Sequence, residues 1–262
     1  MAESLSAVLL DCTISHNGAV RLRQNHDSHF DFSRRRFAPE GAVHRPSSAA
    51  WKKTGVGRVR RCERRYMMKE LLYIDCCIRG RQSRTRKLAD AFLAALPRRY
   101  HVTRLDLTAL DLKPMYGARF REREDLLKSG QTDGPLFDLA RQLAAADAVV
   151  IAAPFWELSF PALLKIYIEN VAVEGITFRG TERGLVGMCH GERCVYLTTR
   201  GGIYQPGDPM DQGTSYLSAM QKFFGLGSLE CVSADGLDVD GMDAAALLRD
   251  GCRRATDLAL TF

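Results

Sequence analysis

The chain is predicted to be an α/β protein, a doubly wound, five-stranded parallel sheet with helices on both faces. Three features of the sequence carry that prediction. Short apolar runs bounded by polar loops alternate with segments whose apolar residues recur at helical spacing, and strict strand–helix alternation builds a parallel sheet. No repeat or linker interrupts this pattern between residues 68 and 262, which are therefore expected to form one domain. The chain's 262 residues, 46% hydrophobic and 26% charged, also suffice to bury a sizeable core.

The elements follow in order. Leu71-Leu72-Tyr73-Ile74, closed by Asp75, reads as a strand covered on both faces. Leu88, Phe92 and Leu96 recur every four residues among alanines, and Pro97 ends that helix. Val102 to Leu107 is a second strand, and Lys113 to Gly130 is expected to hold a loop and a short helix. Leu136, Leu139, Ala140 and Leu143 mark a helix that leads into the strand Ala148 to Ala152. The next helix runs from Pro161 to about Val171, with proline at its first turn where a missing N–H costs nothing. Cys194 to Thr198 is the fourth strand, Ser215 to Phe224 a helix that Gly225 and Gly227 can end, Leu229 to Ser233 the fifth strand, and Ala244 to about Leu258 the last helix.

Charge divides the chain. Residues 1–67 hold 13 Lys or Arg against 6 Asp or Glu, whereas residues 68–262 hold 24 against 25. The net charge of +6 thus resides in a basic N-terminal extension that shows no lasting period and is expected to be unfolded. The Met67-Met68 pair is read as an alternative start just ahead of the domain. Arg34-Arg35-Arg36 and the arginines between 58 and 65 raise nucleic acid as a partner, through RNA binding, or an organellar address, but acidic residues are interspersed and no aromatic platform accompanies them, so both readings are disfavoured. No run approaches the roughly 18 to 20 apolar residues of a bilayer span, and no membrane partner is expected. The eight cysteines show neither CxxC nor ligand spacing, which points to reduced thiols in the cytoplasm and no metal. Asp235, Asp238, Asp240 and Asp243 lack a calcium-loop register and read as a solvated helix start, and a catalytic role for His101 or His190 is disfavoured.

In a doubly wound sheet, ligands sit beyond the C-terminal strand ends. Three loops qualify there. The first, Cys76 to Thr85, meets a helix N-terminus whose free N–H groups favour an anion, with Ser83 and Thr85 as hydroxyl donors and Arg79, Arg81 and Arg84 as positive field. Ser83 equally reads as a simple helix cap. This loop matches neither GxGxxG nor GxxxxGK[ST], which disfavours a Rossmann dinucleotide site and a P-loop. The second, Pro154-Phe155-Trp156-Glu157-Leu158, sets two large aromatics where a flat ligand would stack, or where they cover the sheet end or a subunit contact. The third, Thr199-Arg200-Gly201-Gly202, lets the backbone approach a ligand closely. A phosphate, a planar ring and a polar ring edge together outline FMN.

Residues 68–262 resemble the flavodoxin-like NAD(P)H-dependent reductases, specifically the FMN-dependent NADH azoreductases and quinone reductases. The stretches that carry the resemblance are Ile151-Ala-Ala-Pro-Phe-Trp156, Pro161 to Lys165, Gly175-Ile-Thr-Phe178 and Thr199-Arg-Gly-Gly202. The resemblance implies strand order 2-1-3-4-5. It also implies an FMN phosphate at Ser83, Arg84 and Thr85 with a contact at Cys77, and a ring against Pro154, Phe155, Trp156, Glu157 and Leu158 whose polar edge meets Thr199, Arg200, Gly201 and Gly202. It further implies a homodimer and a ping-pong cycle from NADH or NADPH through flavin to a quinone or azo compound, with no catalytic side chain. Phe120, Phe178 and Tyr204 are candidate pocket walls. Two departures stand out: Cys76-Cys77 where serines are commoner, and Glu157 where many azoreductases carry Asn. The alternative is an FMN electron carrier without NAD(P)H oxidation, which the near-neutral domain disfavours because such carriers are strongly acidic.

Overall fold

The computed structural model describes residues 68–262; the expected basic extension, residues 1–67, lies outside the described residues. Five strands, β1 (Lys69–Asp75), β2 (Tyr100–Asp106), β3 (Ala148–Ala152), β6 (Arg193–Thr199) and β7 (Ser228–Ala234), form one sheet in the order β2-β1-β3-β6-β7. All neighbouring pairs in it are parallel. Counting only these strands, the order is the expected 2-1-3-4-5, and its reversal between β1 and β3 opens a crevice at their C-terminal ends.

The two faces follow the period of a strand. Leu71 and Tyr73 point to one side and, with Val150 and Leu197, bury Phe92 of α1 (Arg84–Ala95) and Ala255 and Ala259 of α6 (Ala244–Ala259). Leu72 and Ile74 point to the other and meet α3 (Asp138–Ala145), α4 (Ala162–Val171) and α5 (Gln212–Phe224) through Leu143, Leu164, Tyr167 and Leu217. Each fully buried Leu or Phe in these layers contributes about 1.5–3 kcal/mol by leaving water. Side chains cap three of the helices: Ser83 accepts from Arg86 N, Asp211 from Thr214 N and Asp243 from Ala246 N. Gly225, at φ 76°, ends α5 in the left-handed conformation, as its position predicted.

Two features differ from the sequence reading. The segment expected to hold a short helix forms the twelve-residue α2 (Gly117–Lys128), which buries none of its residues. A second, two-stranded antiparallel sheet, β4 (Phe178–Thr181) with β5 (Gly184–Gly187), was not foreseen. Its strands are four residues long, largely exposed and glycine-containing, so they lack the apolar run or alternation that reveals a strand. Phe178 anchors this hairpin on Phe223 with ring centroids 4.4 Å apart, which places it in the packing between hairpin and α5.

Candidate functional site

The loop after β1 is set by a buried carboxylate. Asp75, wholly buried at the strand end, accepts from Cys77 N through Oδ1 at 3.0 Å. Its Oδ2 takes Arg86 Nη2 at 2.7 Å and Arg104 Nη2 at 2.6 Å. A carboxylate buried there needs such cations, and in return it ties the loop to α1 and β2. The chain then makes a 3-10 turn at Gly80–Gln82 and enters α1, whose first N–H groups, at Arg84 and Thr85, have no acceptor within the helix.

The loop after β3 is a tight turn. Trp156 N donates to Ser159 O at 3.2 Å and Ser159 N to Trp156 O at 2.7 Å. The two residues between them, Glu157 and Leu158, have φ of 48° and 63°, the signature of a type I′ turn. Asn and Gly ordinarily hold those positions, because side chains with a Cβ crowd the backbone there. The turn holds Trp156 and Leu158 outward, both about one-third exposed. Phe155 stacks obliquely on Tyr204 with centroids 4.7 Å apart.

The loop after β6 is fastened from below. Phe155 N donates to Thr199 O, Arg200 N to Ala234 O and Asp238 N to Gly201 O, so the loops after β3, β6 and β7 are sewn together by backbone bonds. A Cβ on Gly201 would lie 2.6 Å from Asp238 Oδ2, and glycine permits that approach. Arg200 turns inward: its Nη2 donates to Asp211 Oδ2 at 2.5 Å and to Thr214 Oγ1 at 2.9 Å, its Nη1 lies 3.5 Å from Asp235, and its Cζ sits over the rings of Phe155 and Tyr204.

These loops meet in one cleft. Ser83, Arg84 and Thr85 line it from α1, Pro154, Phe155 and Trp156 from the loop after β3, and Thr199 and Gly201 from the loop after β6. Arg79, Gln82 and Asp238 complete the wall. Five of the expected residues are not in that wall. Cys77 is fully buried with Sγ 3.8 Å from Ala152 O, and burial beside Asp75 pushes its thiol up to about 12, so it stays neutral. Arg200 is occupied as described, Glu157 and Leu158 lie on the turn beyond Trp156, and Gly202 accepts from Gly236 N. The side chains at the α1 end of the cleft already have partners: Ser83 caps α1, Thr85 Oγ1 lies 2.6 Å from Thr199 Oγ1, and Arg84 makes a two-pronged pair with Asp238.

Three residues with long-range roles escaped the sequence reading: Asp75, Asp211 and Asp238, the last expected only as part of a solvated cluster. Asp211 did carry a local signal, an acid three residues before Thr214 at a helix start. Phe120 is exposed beneath the Arg123 guanidinium, and His101 pairs with Glu70 at 2.8 Å on the surface. Among the described residues no cluster of His, Cys, Asp or Glu suited to a metal ion occurs, and no helix is long and apolar enough to cross a membrane.

The geometry fits FMN on its own chemistry. Unpaired N–H groups at the α1 N-terminus and the Arg79 guanidinium suit a phosphate, and the aromatic turn lies across the same cleft. Comparison with known proteins points the same way. The flavodoxin-like fold family matches residues 69–257. FMN-dependent NADH:quinone oxidoreductase 2 of Clostridium acetobutylicum is 37% identical over 203 residues, covering 74% of this chain and all of that protein. An FMN-dependent NADH:quinone oxidoreductase of Clostridium perfringens is 35% identical over 208 residues with the same coverage. Among solved structures, the azoreductase of Bacillus anthracis str. Sterne superposes with a TM-score of 0.65 at 28% identity, over 74% of this chain and all of that one. With its sheet order, its crevice and these relatives, the chain belongs to the flavodoxin-like family of FMN-dependent NADH:quinone oxidoreductases.

Proposed function

We propose that residues 68–262 are an FMN-dependent NAD(P)H oxidoreductase that passes electrons to quinones or aromatic azo compounds. The observation that carries this reading is the single cleft shared by the α1 N-terminus, the Phe155-Trp156 turn and the Thr199–Gly201 loop. Bound FMN supplies the redox chemistry, accepting a hydride and returning two electrons to the acceptor. The chain's own residues bind and orient. The N–H groups of Arg84 and Thr85 and the guanidinium of Arg79 hold the phosphate. Phe155 and Trp156 give the ring an apolar wall and keep water from it, and the Thr199–Gly201 loop meets the ring edge. No side chain in the cleft is assigned as nucleophile or general base.

Donor and acceptor use the same face in turn, the ping-pong cycle that the family resemblance implies. Trp156, which lines the cleft, and Leu158, Ile203 and Met210 are exposed on the loops after β3 and β6, and Gln212 N donating to Leu158 O brings these two loops together. That apolar surface suits a second copy of the chain, giving a homodimer. The free, buried thiols of Cys76, Cys77, Cys189 and Cys194 suit a reducing compartment, and the reading places the protein in the cytoplasm.

The test is anaerobic. The purified chain is mixed with FMN, freed of unbound flavin and given NADH or NADPH while flavin absorbance is followed. Rapid bleaching, reversed by a quinone, is expected. Bound flavin that stays oxidised with both donors would favour an electron carrier, and absence of bound flavin would refute the site.

A further inference from the structure

We infer that Asp238 sets how strongly this site prefers a phosphorylated flavin: its carboxylate occupies Arg84 and places a fixed negative charge in the wall of the phosphate cleft. The inference rests on the FMN reading above and goes beyond it in naming a residue that weakens cofactor phosphate binding.

Arg84 stands at the first turn of α1, where a phosphate is expected, yet its guanidinium is already engaged. Nη1 donates to Asp238 Oδ1 at 2.8 Å and to Leu237 O at 3.0 Å, and Nη2 donates to Asp238 Oδ2 at 3.0 Å. Both prongs of the fork that would clasp a phosphate are therefore turned to a carboxylate. Asp238 does not arrive there by chance of side-chain rotation. Its backbone N–H donates to Gly201 O, with Leu237 N bound to Arg200 O and Gly236 N to Gly202 O, so the loop after β7 is pinned against the loop after β6. Asp238 also lines the cleft together with Arg79, Ser83 and Thr85. The Arg84 guanidinium, joined by Arg79, holds the Asp238 carboxyl below the usual carboxylate range, so the negative charge persists at neutral pH.

A phosphomonoester near neutral pH carries close to two negative charges. Entering this cleft, it meets the α1 N-terminus and Arg79 as attraction and Asp238 as repulsion, and it shares an Arg84 whose best donors are taken. A dephosphorylated flavin meets none of these charge terms. The carboxylate therefore lowers the preference for FMN over riboflavin. Asp238 is exposed, which screens the repulsion but does not abolish it.

The experiment compares the full chain with Asp238→Asn, which keeps the side-chain shape and removes the charge, and with Asp238→Ser, which also frees Arg84. Dissociation constants for FMN and riboflavin are measured by quenching of flavin fluorescence at fixed ionic strength, with thermal melting to establish that each variant is folded. In both variants FMN should bind about three- to tenfold tighter, the size expected for one partly screened charge at short range. Riboflavin should stay within about twofold. FMN binding with an unchanged or reduced preference over riboflavin in both folded variants would overturn the inference while leaving the FMN reading intact. A parent chain that binds neither flavin would overturn the FMN reading itself, and the inference with it.

Discussion

Two arginine–aspartate clamps flank the cleft, and they differ in everything except composition. Arg84 and Asp238 sit at the α1 end of the cleft, the end proposed for the phosphate, with side chains 33% and 63% exposed. Arg200 and Asp211 sit by the Phe155–Tyr204 pair, the end proposed for the ring, 5% and 8% exposed. In the first, water remains an alternative partner for both groups, so the pair contributes little to stability, although it occupies the Arg84 donors. In the second, neither charge has an alternative, and losing one partner strands the other in a medium that solvates it poorly. The same chemistry therefore tunes binding in one place and holds loops together in the other.

The sharpest way to break this contrast is to remove each arginine in turn. Arg200→Met should lower the unfolding free energy by about 3–5 kcal/mol, because Asp211 loses its cation and Asp235 its nearest positive charge. Arg84→Met should cost less than about 1 kcal/mol. Urea denaturation of both variants measures the difference; equal losses would mean that exposure does not separate the clamps. Arg200 also bridges Phe155 and Tyr204 with the start of α5, so its loss should loosen the ring end before the phosphate end.

Salt offers a gentler probe of the same contrast. In the proposed binding mode the phosphate end would work through the charges of Arg79, Arg84 and Asp238, which line the cleft, and the ring end through contact. Raising ionic strength from about 0.05 to 0.5 M shortens the screening length by roughly threefold. FMN affinity should fall by about threefold or more across that range, with riboflavin changing by less than about twofold. Parallel loss of both ligands in a salt titration would show that charge is not confined to one end.

The pattern of what was legible in the sequence follows from distance along the chain. The five sheet strands were readable because burial on both faces makes them continuous apolar runs, as in Leu71–Ile74 and Ala148–Ala152. The three loops were readable because the topology sends them all to the C-terminal edge of the sheet. The clamps were not readable in this way. Arg84 and Asp238 are 154 residues apart, and no local period records that they meet. The inward turn of Arg200 was equally hidden, since a Thr-Arg-Gly-Gly stretch looks the same whether its arginine faces a ligand or the carboxylates of Asp211 and Asp235. The β4–β5 hairpin escaped for another reason: it stands exposed and is held by a few contacts such as Phe178 on Phe223.

The smallest expected effect concerns the turn that carries the aromatic wall. Glu157 had stood out as an unusual residue where Asn is commoner, and the turn gives the physical reason: its φ of 48° belongs to the left-handed region. A residue with a Cβ is crowded there by roughly 1–2 kcal/mol, whereas Asn, whose short amide can bond to nearby backbone, is the side chain that best tolerates it. Glu157→Asn should therefore raise stability by about 0.5–1 kcal/mol, read as a higher urea midpoint with unchanged slope. Because the side chain at 157 lies outside the cleft wall, FMN affinity should stay within about twofold. A loss of stability would mean that Glu157 makes a favourable contact outweighing its backbone strain. A large change in FMN affinity would instead mean that the ring end, like the phosphate end, is governed by side-chain chemistry, and the division between the two ends of the cleft would no longer hold.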